Sequence, residues 1–301
     1  MTDAAAELFC EYQTDVALGD SPLEQGDVVQ FLQGIKFPDG WHDVLGVVVT
    51  ANCDLAREKN WGLITYVPAI PIDSYIRCFT VPKHLKSEAR KVEKQLKEIF
   101  GQNSSESARR AVEMADLGYP EDQVALLLGD NAESKLKARF SRCYSVLSCI
   151  LSMIENLETV KDAHDFWRAL KSYAEQMDGI KGETVGTNEK RVRNYIKTNL
   201  SNPPGDVFFF SSPSPIHGRG YIVVLRFIGS INDESVALRT VDEMRAPGRY
   251  SARRVSRLET LYTHRVVQQM ATVFTDIGLP EEYEQARDTR FDDVIARLGD
   301  H

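Results

Sequence analysis

The chain changes hydrophobic period twice. Near its amino end, apolar residues come in short β-branched runs: Val28-Val29-Gln30-Phe31-Leu32 after Gly26-Asp27, then Val44-Leu45-Gly46-Val47-Val48-Val49-Thr50, then Gly62-Leu63-Ile64-Thr65-Tyr66-Val67-Pro68. Runs of this length, bounded by turn residues, predict strands, and the unbroken second run predicts one buried on both faces. Phe37-Pro38-Asp39-Gly40 is a turn, since Pro presets one φ and Gly permits the other. Pro68 cannot donate to a ladder, so the third strand ends there or lies at an edge.

From 82 to 200 the period becomes three to four residues. Lys83 to Phe100, a stretch starting near Ser104 or Ser105, and Glu121 to Leu128 each predict a helix. The longest helix is expected from about Asp130 to Glu158. There Phe140, Cys143, Tyr144, Leu147, Ile150, Leu151, Ile154 and Leu157, widened by Val146, Cys149 and Met153, make it apolar nearly all round, the pattern of a bundle's spine. Asp162 to Met177 is another helix with Phe166, Trp167, Leu170 and Tyr173 on one face, and Asn188 caps a basic helix reaching Leu200. Asn202-Pro203-Pro204-Gly205 then breaks the helix, and Val207 to Phe210, Tyr221 to Phe227 and Ser235 to Thr240 read as strands. Last, Val255, Leu258, Leu261, Tyr262, Val266, Met270, Val273 and Phe274 predict one helix from about Ala252 to Thr275, with a shorter amphipathic stretch from Arg290 to Leu298.

The order strands, helices, strands, helix predicts an α+β fold. Neither β half has enough strands to stand alone. Residues 24–80 and 203–242 are therefore expected to form one split β barrel, 82–200 a helical insertion, and 252–298 carboxyl-terminal helices packed on the barrel.

Composition narrows the class. With 43% hydrophobic and 27% charged residues in 301, the balance is that of a globular protein. Thirty-six basic against 44 acidic side chains give a net charge of −8, so a polyanion could be held only by a local basic patch. No apolar run is long enough for a membrane span and no secretory signal is visible, so a cytoplasmic protein without a membrane role is expected. Cys10, Cys53, Cys78, Cys143 and Cys149 are odd in number and widely spaced, which favours reduced thiols over a disulfide framework or zinc ribbon.

Gly26-Asp27-Val28-Val29 opening one strand, followed by Val47-Val48-Val49-Thr50, resembles the SH3-like barrel of the PemK/MazF toxins. That resemblance implies a small barrel and cleavage of single-stranded RNA. The family's chemistry uses an Arg-Pro ahead of the second strand, where this chain has Trp41-His42-Asp43. Thr50-x-x-Cys53-Asp54-Leu55, with Arg257-Leu258-x-x-x-Tyr262 and Ile277-Gly278-Leu279-Pro280, is similar to an uncharacterised group of bacterial proteins found in defence and toxin-like gene neighbourhoods.

Candidate chemistry is sparse. Cys53 at a strand end could be a nucleophile with His42 or His217, or half of a metal site with Asp54; it could equally be buried while Asp54 bonds free backbone donors. His217 and Arg219 lie in a His-Gly-Arg-Gly loop whose glycines admit close approach of a ligand. Arg239, Arg245, Arg249, Arg253, Arg254, Arg257 and Arg265 crowd 27 residues; they are either a nucleic-acid or acidic-partner surface or an internal salt-bridge set. No nuclease core, hydrolase elbow or paired-His motif stands out. The expectation is an interaction or regulatory module with a protein partner, without metal or cofactor, nucleic acid being a second partner through Arg245, Arg249, Arg253, Arg254, Arg257 and Arg219. The alternative is a toxin-like endoribonuclease.

Overall fold

The computed structural model describes residues 11–100, 105–129, 132–160, 162–213, 220–275 and 289. Among these, the strands are β1 (Tyr12–Thr14), β2 (Asp27–Phe31), β3 (Leu45–Val48), β4 (Leu63–Pro71), β5 (Val207–Phe210), β6 (Tyr221–Val224), β7 (Gly229–Asn232), β8 (Val236–Ala237) and β9 (Ala252–Leu258). The helices are α1 (Asp15–Leu18), α2 (Asn52–Leu55), α3 (Ile72–Tyr75), α4 (Val81–Phe100), α5 (Ser105–Asp116), α6 (Glu121–Ala125), α7 (Ser134–Thr159), α8 (Ala163–Lys181), α9 (Thr187–Ser201), α10 (Thr240–Arg245) and α11 (Thr260–Thr275). The molecule is a mixed α and β structure with a curled, mainly antiparallel sheet.

The sheet runs β1-β9-β2-β3-β4-β6-β5, and β7 also pairs with β4 and β8 with β9. Strands from the two distant β segments therefore share one sheet: Ala69–Pro71 of β4 meets β6, and Leu63–Tyr66 meets β7 along the same edge. One short turn, Asp233–Ser235, carries the chain from β7 to β8, which joins the edge of β9 facing away from β2. So short a bridge between the outer edges of β4 and β9 requires the strands between them to curl. Inside the curl pack Val29, Val48, Ile64, Tyr66, Ile231 and Val236. On the other face Val28, Leu45, Val47 and Val67 meet Val266 and Val273 of α11. Neighbouring residues such as Val28 and Val29 enter different clusters, as a period of two demands when both faces are buried. Gly46 has no room for a side chain, because a Cβ there would sit 2.7 Å from the Phe31 ring.

Three elements differ from the pattern read in the sequence. β4 neither ends at Pro68 nor lies at an edge: it runs to Pro71 between β3 and β6, and Pro68 is accommodated in the gap between the stretches paired with β7 and β6. The stripe beginning at Val255 predicts a helix, but Ala252–Leu258 is strand β9 between β1 and β2, and α11 begins only at Thr260. The extended form wins because β2 needs a second partner, and β9 buries Ala252, Arg254, Val255, Ser256 and Leu258 in meeting it. Likewise Ser235 to Thr240 yields only the two residues of β8 before α10. The amphipathic stretch from Arg290 to Leu298 lies outside the described residues, as does Cys10.

Helices α4 to α9 build a separate apolar cluster. Leu85 and Leu96 of α4, Phe140, Leu147 and Ile150 of α7, and Phe166 of α8 are buried in it. A π-helical turn, Ile76–Thr80, feeds α4, and its buried Arg77 donates to the Val160 carbonyl at 3.0 Å and to the Gly40 carbonyl. One guanidinium thus joins the end of α7 to the turn before β3.

His84 on α4 stacks against Tyr195 of α9 with ring centroids 4.3 Å apart. Burial holds its imidazole below the ordinary value of 6.5; Glu88 opposes this, while Lys91 and Lys181 reinforce it. The unfolded chain then binds a proton more readily than the fold does, so stability falls as pH drops below 6.5 and levels off below the lowered folded value. An NMR titration should give His84 a midpoint under 6.5; a midpoint at or above 6.5 contradicts the packing described.

Candidate functional site

The arginine run turns largely inward. On β9 the residues that a helix would have gathered are separated: Arg254 is fully buried and Arg253 and Arg257 are partly exposed, and a register shift sets Arg253 opposite Gln30 but turns Arg257 to the side of Arg254, opposite Asp27. Arg254 donates to the carbonyls of Ser21 at 2.9 Å and Gly19 at 3.0 Å and stands 3.6 Å from the carboxylate of Asp27, itself fully buried. Arg257 clasps both Asp27 oxygens at 2.6 and 3.1 Å and pairs with Glu24 at 3.0 Å. Burial pushes the Asp27 carboxyl up, against the pull of Arg257, the Glu24 amide and Arg254. Burial works against the Arg257 charge, yet its bonds to Asp27 and Glu24 raise it. Arg253 donates to Gln30 and meets Glu243 at 3.4 Å; Arg239 pairs with Asp242 and Asp20. Of the arginines named for an anionic surface, Arg245 and Arg249 are exposed, the latter over the Tyr250 ring. Arg219 and His217 lie outside the described residues.

The Asn52-Cys53-Asp54-Leu55 tetrad is the short helix α2, and Cys53 is exposed rather than buried. Thr50 accepts from the Thr65 amide at 2.6 Å and Asn52 from the Gln25 amide at 2.7 Å, so these two satisfy backbone donors at the strand end. Asp54 does not share that task among the described residues: its side chain accepts from the Cys53 thiol at 3.6 Å. His42 precedes β3, beside Pro71, Asp73 and Arg77, and Cys53 follows the strand in α2.

Asp162, His164 and Asp165, at the start of α8, are the one grouping of three potential metal ligands among the described residues. Its carboxylates already have partners: Asp162 caps α8 by accepting from the Asp165 amide at 2.8 Å, and Asp165 binds Arg168.

A larger feature lies between α8 and α9. The helices form a hairpin closed by residues 182–186, with Gly182 in the left-handed region at φ 64° ending α8. Asp178, buried at the end of α8, accepts from the amides of Gly186 at 2.7 Å and Asn188 at 2.9 Å and from the Asn188 side chain at 2.6 Å. Burial works the other way, but these bonds hold its carboxyl below the ordinary value. The start of α9 is thereby fixed against α8. Between them runs a groove of about 860 Å³. Leu170, Ala174, Val192 and Ile196 form its floor, and Trp167 and Leu200 flank it, Trp167 remaining 39% exposed. Arg168 and Lys171 line the α8 side, Arg193 and Lys197 the α9 side, with Glu189 the one carboxylate. The ion pairs on this rim, Arg168 with Asp165, Lys171 with Glu175 at 3.9 Å and Arg193 with Glu189 at 2.6 Å, lie within single helices. Such exposed pairs are weak, so the cations stay available to a partner. The sequence pattern places Trp167 with Phe166 on one packed face; in the fold Phe166 is buried and Trp167 turns into the groove, its indole donating to Asp73 at 3.3 Å.

Comparisons of the chain with protein-family models, curated proteins and solved structures give no match. No helix of the described residues is long and apolar enough to cross a membrane.

Proposed function

We propose that this protein is a non-catalytic interaction or regulatory module, built on a small SH3-like barrel, that receives a protein partner on its helical body. The observation that carries the reading is the groove between α8 and α9: a continuous apolar floor, open to solvent and framed by cations. An apolar centre with a polar rim is the anatomy of a protein interface. The clamp of Asp178 on the α9 amides supports it further, because a preorganised groove loses less conformational entropy when a partner arrives.

The test compares full-length wild type with Leu200→Glu, both tagged and expressed in the native cells. A protein co-isolated with wild type is expected to drop about tenfold or more with Leu200→Glu, the loss of over 1 kcal/mol typical of a central apolar contact. Leu200 also packs against two apolar clusters, so the melting curves are taken first, and Lys197→Glu on the exposed rim replaces Leu200→Glu where the latter melts lower. Cleavage of long single-stranded RNA by the purified chain, with or without a divalent metal, overturns the reading in favour of the endoribonuclease. So does an unchanged co-isolated set.

A further inference from the structure

Resting on the reading that the α8–α9 groove docks a protein, we propose that its occupant is an amphipathic helix of a partner protein, with one apolar stripe flanked on both sides by Asp and Glu. The geometry points to this class in three steps. First, the groove is linear. It follows α8 from His164 to Ala174 and α9 from Glu189 to Ser201. At 1.5 Å per residue these spans are about 15–18 Å, the length of a helix of about 10–12 residues. A helix lying in a groove presents anchors at i, i+3 or i+4, and i+7, which is three or four side chains over that distance.

Second, the positive charge is distributed along both banks. Arg168 and Lys171 are three residues apart on α8, and Arg193 and Lys197 are four apart on α9, so each pair forms a short row parallel to the groove. An amphiphile with a single anionic head would need cations gathered at one end. A helix with acidic residues on both shoulders of its apolar stripe matches two parallel rows. With the pairing carboxylates Asp165, Glu175 and Glu189 counted, the banks keep one unbalanced cation, Lys197, in a chain whose net charge is −8. Lys197 has no ion pair among the described residues, and the partners of the other three are neighbours on the same helix, Glu175 exposed and Asp165 and Glu189 partly so. An acidic partner can therefore be received without breaking any buried pair.

Third, the floor can hold large side chains. Leu170, Ala174, Val192 and Ile196 are themselves nearly buried, so the groove is a slot whose walls include the Trp167 ring, Leu200 and the aliphatic stems of the four cations. Lysine and arginine stems cover apolar surface while their heads stay in water. Leucine-like anchors from the partner would lie against those stems, and its carboxylates would reach the heads.

The test uses two synthetic, labelled helical peptides of about 12 residues. Both carry leucine at the groove-facing positions; one has Glu on the two shoulders and the other has Lys. Anisotropy titrations are run with wild-type chain and with Arg193→Glu/Lys197→Glu, whose melting curve verifies the fold. The Glu peptide should bind wild type, weaken with added salt, and lose about tenfold in affinity on the reversed bank. The Lys peptide should bind the reversed chain better than wild type. Equal binding of the two peptides to wild type overturns the proposal, as does a Glu peptide indifferent to the reversal. A concentration-dependent dimer abolished by the reversal also overturns it, by assigning the groove to a second copy. If neither peptide binds but Leu200→Glu still removes a co-isolated protein from the full chain, the docking reading stands and the acidic helix is rejected.

Discussion

Asp27→Ala should destabilise the fold by about 3–5 kcal/mol, the cost of stranding a buried charge. Asp27 is fully buried and answers two guanidiniums at once, Arg257 at 2.6 Å and Arg254 at 3.6 Å, while also accepting from the Glu24 amide at 2.8 Å. Removing the carboxylate leaves the fully buried Arg254 with neutral acceptors alone, the carbonyls of Gly19, Ser21 and Pro22 and the Ser21 hydroxyl, and its Nε has no partner among the described residues. The damage would spread, because Asp27 opens β2 and both arginines lie on β9, the strand that joins β2 to β1. Urea unfolding followed by circular dichroism measures the loss. A change under about 1 kcal/mol, the size of an ordinary surface pair, would place Asp27 outside the structural core.

The second large effect lies in the helical body. Leu147→Ala should cost about 2–5 kcal/mol, the range for deleting a fully buried leucine. Leu147 is inaccessible to solvent near the middle of α7, and α7 packs against α4, α5, α6 and α8. A cavity there touches most of the bundle, so little local collapse can fill it. The same unfolding experiment reads the effect. A loss near that of an exposed position, within about 0.5 kcal/mol, would mean that α7 is not the spine of the bundle.

Much of this architecture is legible in the residues themselves. The apolar stripe of α7 reads as a buried helix because eight or more side chains share the three-to-four-residue period, and the β-branched run ending at Val48 reads as doubly buried because no polar residue interrupts it. The misreading at Ala252–Leu258 has a physical source. Val255, Leu258 and Tyr262 sit at helical spacing although the first two belong to a strand and the third to α11. What decides against the helix is the open edge of β2, a partner more than two hundred residues away in sequence. For the same reason the arginine run misleads as a surface signal: its counter-charges Asp27 and Glu24, and the Gln30 side chain that accepts from Arg253, come from the other end of the chain.

The groove was harder to see. Its floor comes from two helices that each look ordinarily amphipathic, and its shape depends on the angle fixed by Asp178 and the Asn188 amide. Nothing in the spacing of Trp167 relative to Phe166 and Leu170 separates a core residue from one turned into a slot. The basic character of α9 is visible in Lys190, Arg191, Arg193 and Lys197, but only the fold shows which of these frame the groove and which, like Arg191 with Glu183 at 2.6 Å, brace the hairpin turn.

Amide hydrogen exchange of the full chain, free and bound to the protein co-isolated with it, tests the central claim most directly. Docking in the groove predicts slowed exchange concentrated in α8 and α9, from Ala163 to Ser201, with β9 and α10 unchanged. Protection over Thr240–Leu258 with none in α8 and α9 would contradict it, and would return the interaction surface to the neighbourhood of Arg245 and Arg249.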